Sequence, residues 1–213
     1  MVKADLHIHT IHSGDSRIQP EQLVECCTRC GIDCVAVTDH NTIAGALEVR
    51  KIAPFKVIVS EEIHTDDGEV IGYFIEEEIP KRLPVKETVA RIKGQGGLVA
   101  VPHPFDRLRG SAIRRRALEE ILPEIDIIEV LNARSFMKRY NTMAERFAQR
   151  HGLLASAGSD AHTPGEIGRA YVEMPDFDGR DSFLMALAQG KIMGQVSPRL
   201  VHLKSTWARL KGL

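Results

Sequence analysis

The chain has 213 residues, a formal net charge of −1 at pH 7, 43% hydrophobic residues and 27% charged residues. This length and composition predict one large globular domain and argue against a disordered chain. The balanced charge argues against binding along an extended nucleic acid, and the apolar runs fall well short of the roughly 20 residues of a membrane span. The N-terminus enters a strand-like segment without a signal-like region, so we expect a cytoplasmic protein with no membrane partner.

Apolar segments with strand character alternate with helix-like segments along nearly the whole chain. The predicted strands are 3–9, 33–38, 56–63, 69–75, 98–102, 126–131, 153–157 and 170–174. The predicted helices are 20–30, 42–52, 84–95, 113–121, 136–150 and 181–189. The dipeptide Asp67-Gly68 predicts a hairpin between the third and fourth strands. This alternation predicts a mostly parallel sheet, either open or closed into a barrel.

Acidic residues and histidines stand at the ends of five predicted strands. They are Asp5, His7, His9, Asp39, His40, Glu61, Glu62, His64, His103, Asp160 and His162. Side chains two positions apart in a strand share a face, so the pairs His7/His9, Glu62/His64 and Asp160/His162 each present two groups together. Ligands and catalytic groups gather at the carboxyl ends of parallel strands. Carboxylates with neutral imidazoles suit Zn²⁺, Mn²⁺, Fe²⁺ or Co²⁺, and this many candidates exceed the needs of one ion.

The order of these motifs resembles the PHP (polymerase and histidinol phosphatase) domain family. The matching motifs are His7-x-His9-Thr10, Thr38-Asp39-His40, Glu62, His103-Pro104 and Gly158-Ser159-Asp160-Ala161-His162. The resemblance implies that residues 1–213 form a single domain, a distorted seven-stranded β/α (TIM-like) barrel with a metal cluster at the strand C-termini. We expect the tail 199–213 to pack on this barrel.

The resemblance also implies two or three divalent metal ions and a role for each ligand. One ion would be held by His7, His9, Glu62 and Asp160. Glu62 would bridge to a second ion that His103 also binds. A third ion would be held by Asp15, His40 and His162.

One position departs from the family pattern. Many members supply another histidine to the second ion from the strand after Glu62, where this chain has Val70 and Ile71. Either His64 takes over that role, or the second site lacks a ligand. The other expected role of His64 is a contact with the substrate.

The expected chemistry is hydrolysis of a phosphate ester. Two metal ions roughly 3.5–4 Å apart lower the pKa of a bridging water and hold the resulting hydroxide against phosphorus. Arginines that bind phosphate through paired hydrogen bonds are the expected companions. Arg134 follows a strand end and is the first candidate, while Arg107 and Arg109 follow His103-Pro104 in a loop. The resemblance implies a metal-dependent phosphatase or phosphodiesterase, with a small phosphorylated substrate.

Three alternative functions stay open at this point. A nuclease acting on short oligonucleotides would use the same ions, although aromatic residues, which stack on bases, are only 5% of the chain. A non-catalytic accessory metal-binding module would show a gap in the ligand set, and the second site is the suspect. Hydrolysis of a carbon–nitrogen bond in an amidohydrolase-like barrel usually involves a bridging lysine, and Lys81 and Lys138 lie outside the motifs.

The four cysteines form a separate cluster, with Cys26, Cys27, Cys30 and Cys34 within nine residues. A disulfide framework would spread its cysteines along the chain, so this pattern predicts reduced thiols. A structural zinc site is the rival interpretation. Cys26 and Cys30 share a helix face from which Cys27 points away, so we expect the thiols to pack as small apolar groups.

Overall fold

The computed structural model describes residues 1–196, and the predicted tail 199–213 lies outside that range. The strands are β1 (Val2–Ile8), β2 (Cys34–Val37), β3 (Lys56–Thr65), β4 (Gly68–Tyr73), β5 (Leu98–Val101), β6 (Ile127–Asn132), β7 (Leu154–Gly158), β8 (Ala170–Met174) and β9 (Lys191–Gly194). The helices are α1 (Pro20–Cys30), α2 (Ala44–Ile52), α3 (Val85–Gly94), α4 (Arg115–Glu120), α5 (Lys138–His151) and α6 (Arg180–Ala188). Short 3-10 turns occupy Ile11–Ser13, Leu122–Glu124 and Pro164–Glu166.

The first seven strands close into a barrel. Strand β1 pairs in parallel with β2 and β2 with β3, while β5, β6 and β7 form a second parallel group. Strand β4 joins the two groups and runs antiparallel to both of its neighbours. The end of β7 returns to β1, because the amide of Asp160 donates to the His7 carbonyl oxygen at 2.7 Å and the His9 amide to the Ala161 carbonyl oxygen at 3.1 Å. The predicted distorted β/α barrel is confirmed.

Two further strands extend the sheet, which has nine strands in the described residues, rather than seven. Strand β8 runs antiparallel to β1, with Val2 opposite Met174, and β9 runs antiparallel to β8. Strand β9 is not among the strands predicted from the sequence. Its four residues lie at the sheet edge and are mostly exposed, so they show none of the apolar alternation that marks a half-buried strand.

Two apolar clusters support the barrel. The larger one joins the sheet to the helices, with Leu23 of α1, Val49 of α2 and Val89 of α3 among its buried members. The smaller one combines small strand residues such as Ala4 with the ring of Phe183 from α6, which is fully buried. Burying one such large side chain stabilises a fold by about 1.5–3 kcal/mol. These clusters make the barrel a rigid frame for the polar strand ends.

Two smaller expectations concern the hairpin and the cysteines. Thr65 pairs with Gly68 across the turn from β3 to β4, which confirms the predicted Asp67-Gly68 hairpin. Cys26, Cys27 and Cys34 are buried as expected, whereas Cys30 is exposed and does not pack as an apolar group. Burial raises the pKa of the Cys27 and Cys34 thiols. Within residues 1–196, none of the side-chain groups that could hold a metal ion includes a cysteine. No helix in that range combines the length and apolarity of a membrane span.

Candidate metal centre

Histidines of β1 and the carboxylate of Asp160 meet at the closure of the barrel. The Nε2 atoms of His7 and His9 lie 3.0 Å apart, and Asp160 Oδ1 lies 3.3 Å from His9 Nε2. All three residues are buried, and together they form a group with metal-ligand spacing. The close approach depends on Gly158, because a Cβ there would lie 2.2 Å from the Cβ of His7.

Glu62, in the second half of β3, lies at the centre of the histidine cluster. Its Oε2 lies 3.4 Å from His9 Nε2 and 3.0 Å from His40 Nδ1, while its Oε1 lies 3.2 Å from His103 Nε2 and 3.5 Å from His7 Nε2. One carboxylate therefore contacts four imidazoles. Glu62 therefore lies between His7 and His9, which are expected at the first ion, and His103, which is expected at the second.

Asp15, His40 and His162 form the third predicted group. His40 Nε2 lies 3.6 Å from Asp15 Oδ2, and His162 Nε2 lies 3.4 Å from Asp15 Oδ1. His9, His40 and His162 also present nitrogen atoms within metal-ligand spacing of one another. The structure thus brings together all eight ligands that the resemblance implied.

Glu69 is a candidate ligand that is not among the residues predicted from the sequence. Its Oε2 lies 3.8 Å from His103 Nε2 and its Oε1 lies 3.8 Å from His40 Nδ1. The residue is buried and forms a group with metal-ligand spacing together with His40 and Glu62. Glu69 therefore stands beside the position for which Val70 and Ile71 supply no ligand.

His64 lies further out than the other histidines. Its side chain is 46% exposed, and its Nδ1 lies 3.4 Å from Glu69 Oε1. Within the described residues, no group with metal-ligand spacing includes His64, although His64 lines the cavity above the cluster. His64 therefore lies at the cavity and outside the candidate ligand groups of the described residues.

Hydrogen bonds on the far side of the rings orient the histidines toward the cluster. The Nδ1 of His7 lies 3.0 Å from Glu129 Oε1, and the Nδ1 of His162 lies 2.9 Å from the Asp160 carbonyl oxygen. A carbonyl or carboxylate oxygen only accepts, so Nδ1 carries the proton in each neutral ring and the Nε2 lone pair faces the cluster.

His9 reaches the same tautomer through a relay. Its Nδ1 lies 2.9 Å from Ser13 Oγ, and the Ser13 hydroxyl donates to Asp39 Oδ1 at 2.7 Å. Since the hydroxyl proton is committed to Asp39, Ser13 accepts the proton of His9 Nδ1. Three convergent Nε2 lone pairs with buried carboxylates among them form a donor set that fits divalent metal ions.

Glu129 also supports the neighbouring ligands. Its Oε2 accepts from the His103 amide at 2.8 Å and from Asn132 Nδ2 at 3.0 Å, and the same Asn132 amide reaches Asp160 Oδ2 at 3.1 Å. His103 and Asp160 both adopt positive φ angles, +32° and +52°. Such conformations persist at sites where the surroundings fix the backbone, which is what this network does.

The cluster strongly stabilises positive charge. Burial alone would lower the pKa of His7, but Glu129, Glu62 and Asp160 outweigh it and raise the pKa well above its ordinary value. Burial alone would raise the pKa of Glu62, but the charges of His7 and His40 hold it well below its usual range. His9 is different, because burial, with the neighbouring charges of His162 and His40, lowers its pKa to about 4.

A cavity of about 640 Å³ opens above the cluster. Its polar lining includes Ser13, Asn41 and His64, and its apolar lining includes Leu108 and Phe136. Arg109 and Arg134 line it beside Asp160, whereas Arg107 is exposed and is not part of the lining. Of the two arginines that follow His103-Pro104, the structure therefore places Arg109, rather than Arg107, at the cavity.

Arg109 lies in the loop 106–114, which we call the arginine loop. Its Nη1 lies 2.6 Å from Asp160 Oδ2, and its Nη2 donates to Asn132 Oδ1 at 3.2 Å. Burial alone would raise the pKa of Asp160, but the Arg109 guanidinium and the His7 imidazole hold it well below its ordinary value. Arg134 lies on the same side, with Nη1 3.5 Å from the Asp160 carbonyl oxygen. The two guanidinium groups form a basic wall next to the ligands.

Comparison with known proteins agrees with this geometry. Residues 5–78 match the family model of the PHP domain, and residues 138–192 match the PHP-associated model. Two uncharacterized proteins of Methanocaldococcus jannaschii are similar in sequence. One is 40% identical over 147 residues, which are 62% of this chain and 82% of that protein. The other is 36% identical over 181 residues, which are 83% of this chain and 72% of that protein. A 3′,5′-nucleoside bisphosphate phosphatase of Chromobacterium violaceum is 37% identical over 87 residues, 40% of this chain and 30% of that protein.

Solved structures share the fold at low sequence identity. A two-domain protein from Bacteroides vulgatus, containing a predicted PHP-like metal-dependent phosphoesterase, has a TM-score of 0.72 at 18% identity, covering 97% of this chain and 69% of that one. Endonuclease Q in complex with a 27-mer duplex substrate has a TM-score of 0.63 at 17% identity, covering 87% of this chain and 56% of that one. With the family models and the close relatives, these findings place the chain in the PHP family of metal-dependent hydrolases.

Proposed function

We propose that this protein is a phosphatase or phosphodiesterase that hydrolyses a small phosphate ester with two or three divalent ions, Zn²⁺, Mn²⁺ or Fe²⁺, at the cluster. The observation that carries the proposal is the convergence of imidazoles, carboxylates and a basic wall on one cavity. The cavity volume, about 640 Å³, suits a small phosphorylated molecule. The bisphosphate phosphatase among the relatives supports such a substrate.

Each implied ligand group would hold a different ion. Bound divalent ions would supply a water nucleophile that is active near neutral pH and would neutralise phosphate charge. We propose His7, His9, Glu62 and Asp160 for the first ion. Glu62, His103 and Glu69 would hold the second, and Asp15, His40 and His162 the third. With Glu69 in the set, the second position no longer lacks a ligand, which weakens the alternative of a non-catalytic accessory module.

The basic wall would bind and orient the phosphate. A guanidinium matches two phosphate oxygens at once, and both arginines are fixed by contacts with Asp160 and its neighbours. His64, with a half-exposed ring beside Glu69, would contact the rest of the substrate. These residues act by positioning, which brings the phosphorus close to the attacking water.

A panel of phosphate esters tests the proposed function. Protein loaded with Mn²⁺ would be assayed for phosphate or nucleotide release from histidinol phosphate, nucleoside 3′,5′-bisphosphates, sugar phosphates and dinucleotides. We expect turnover of one class of small ester. Turnover confined to oligonucleotides would favour the nuclease alternative, and no turnover with two or more ions bound per chain would refute the proposed reaction.

Arg134→Ala is expected to raise KM by about 10- to 100-fold and to change kcat less, because a lost charge-assisted hydrogen bond costs about 1.5–3 kcal/mol. Steady-state kinetics on the best substrate of the panel measures both constants. The matched control is Arg116→Ala, which removes an exposed arginine outside the cavity. An unchanged KM in Arg134→Ala would remove Arg134 from the phosphate site, and Arg107→Ala beside Arg109→Ala would show which of those two contributes.

A further inference from the structure

The turn between β3 and β4 is bonded directly to the arginine loop. The amide of Glu69 donates to the Ser111 carbonyl oxygen at 2.9 Å, and the amide of Arg114 donates to the Asp67 carbonyl oxygen at 2.8 Å. A side-chain contact adds to these, because Arg114 Nη1 lies 3.0 Å from Asp67 Oδ1. The second half of the arginine loop is therefore tied to the turn at two backbone positions.

The turn itself is internally fixed. The Thr65 hydroxyl donates to the Gly68 carbonyl oxygen at 2.6 Å and accepts from the Asp67 amide at 3.1 Å. The register of β3 and β4 adds a pairing of Thr65 with Gly68. A loop bonded to this turn is thus bonded to the paired strands β3 and β4.

Gly68 is the point of closest approach. Its φ angle is +118°, and a Cβ built there would lie 2.4 Å from Ile113 Cα, 2.7 Å from Ile113 N and 2.9 Å from the Ala112 carbonyl carbon. All three are backbone atoms, so no side-chain rotation relieves the collision. Any residue other than glycine would push the arginine loop away from the turn.

The arginine loop connects the contact with the turn to the cavity. Arg109 lies two residues before Ser111, and its guanidinium contacts Asp160 and Asn132. The loop therefore spans from the turn to the ligand carboxylate. A displacement at Ser111–Ile113 would move the guanidinium relative to the cluster.

We infer that Gly68 is a positioning residue, which fixes the arginine loop against the β3–β4 turn and thereby sets Arg109 for phosphate binding. The inference rests on the proposed function, because it takes Arg109 as a phosphate contact.

A double-mutant cycle on Gly68 and Arg109 tests the inference. The readouts are the Kd of inorganic phosphate for the Mn²⁺-loaded protein, by calorimetry, and KM and kcat for the best ester. We expect Arg109→Ala to weaken phosphate binding by about 10- to 100-fold, since one charge-assisted contact is lost. Gly68→Ala should weaken it by about tenfold, and the double variant should bind no more weakly than Arg109→Ala. Additive losses would overturn the inference.

Two measurements separate positioning from other causes. Gly179→Ala is the matched control, because Gly179 has a φ of +92° but no atom within 4 Å of its built Cβ. Gly179→Ala therefore introduces the same kind of backbone strain as Gly68→Ala but no collision with another segment. We expect its phosphate Kd to stay within about twofold of the native value. Metal content is the second measurement. Loss of metal from Gly68→Ala would place the effect at Glu69 and overturn the inference.

Arg114 provides a second pair of variants if Gly68→Ala does not fold. The φ angle of Arg114 is −66°, which proline adopts, so Arg114→Pro removes the amide donor to Asp67 without forcing that angle. Arg114→Ala removes only the exposed ion pair. We expect weaker phosphate binding in Arg114→Pro than in Arg114→Ala, and equal affinities would overturn the inference.

The phosphate cycle also distinguishes this inference from the proposed function. Non-additive phosphate binding with no ester turnover would support the positioning role and reject the hydrolysis. Ester turnover together with additive losses of phosphate binding would support the hydrolysis and reject the positioning role. Failure of the native protein to bind inorganic phosphate would reject the positioning role whatever the turnover.

Discussion

Glu62→Gln is expected to lower turnover by about 10³-fold, because divalent ions contribute several kcal/mol to such a reaction and each 1.4 kcal/mol is a factor of ten. The carboxylate lies within 3.5 Å of imidazole nitrogens from four histidines. Glutamine keeps the shape but replaces one anionic oxygen with an NH₂ group that faces those nitrogens. We therefore also expect the loss of at least one bound ion per chain, measured by inductively coupled plasma mass spectrometry.

Glu61→Gln is the matched control for this variant. Glu61 is the neighbouring residue on β3, is equally buried and lies outside the cluster. Its Oε2 accepts from the Ile79 amide at 2.9 Å, and burial raises its pKa to about 7. A neutral amide should thus replace it with metal content and turnover unchanged. Full metal content in Glu62→Gln, or equal losses in both variants, would contradict the role of Glu62.

His103→Ala is expected to lower turnover by orders of magnitude, about 10²- to 10⁴-fold, while the far-ultraviolet circular dichroism stays that of the folded barrel. His103 is buried, and its Nε2 faces both Glu62 and Glu69, at 3.2 and 3.8 Å. Losing this imidazole leaves the second position with carboxylates alone. We expect a lower metal stoichiometry, and a rise in the metal concentration needed for half-maximal turnover.

His151→Ala is the control for removing a histidine. His151 is exposed at the end of α5, where its ring packs on Phe147 with centroids 4.5 Å apart. This variant should retain metal and turnover. Normal turnover in His103→Ala would remove His103 from the ligand set, and a parallel loss of folded structure would show that its role is in stability.

Much of the barrel could be predicted from the sequence because its strands are apolar and its turns carry clear signals. The segments that became β1, β2, β5, β6 and β7 are short apolar runs, and Asp67-Gly68 marks the hairpin. Strand β9 escaped prediction because an exposed four-residue edge strand has no periodic signal. Helix α4 is shorter than the predicted 113–121, since Ile113 and Arg114 belong to the arginine loop that contacts the turn.

Most of the candidate ligands stand at the carboxyl ends of predicted parallel strands, where ligands gather, and the resemblance to the PHP family implied the role of each. The rule that ligands gather at these ends hides Glu69, because β4 is antiparallel and its first residues, rather than its last, lie at the ligand edge. The predicted hairpin already implied this direction. A search at the beginning of the fourth strand would have found a carboxylate directly after Gly68.

Glu129 and Arg109 illustrate what the sequence alone does not reveal. Glu129 lies within β6 and contacts His7, which is 122 residues away along the chain. The choice between Arg107 and Arg109 depends on the path of the arginine loop, which contacts the β3–β4 turn. Both facts depend on long-range packing, which composition and strand periodicity do not encode.

The most direct test of hydrolysis by two or more bound ions is phosphate-ester turnover by protein stripped of metal and then titrated with Mn²⁺, Zn²⁺ or Fe²⁺. The number of ions bound per chain is measured at each step. We predict that turnover is absent without metal and appears only as the second ion per chain is filled. Turnover that persists in fully stripped protein, or that is complete with a single ion per chain, would contradict the account.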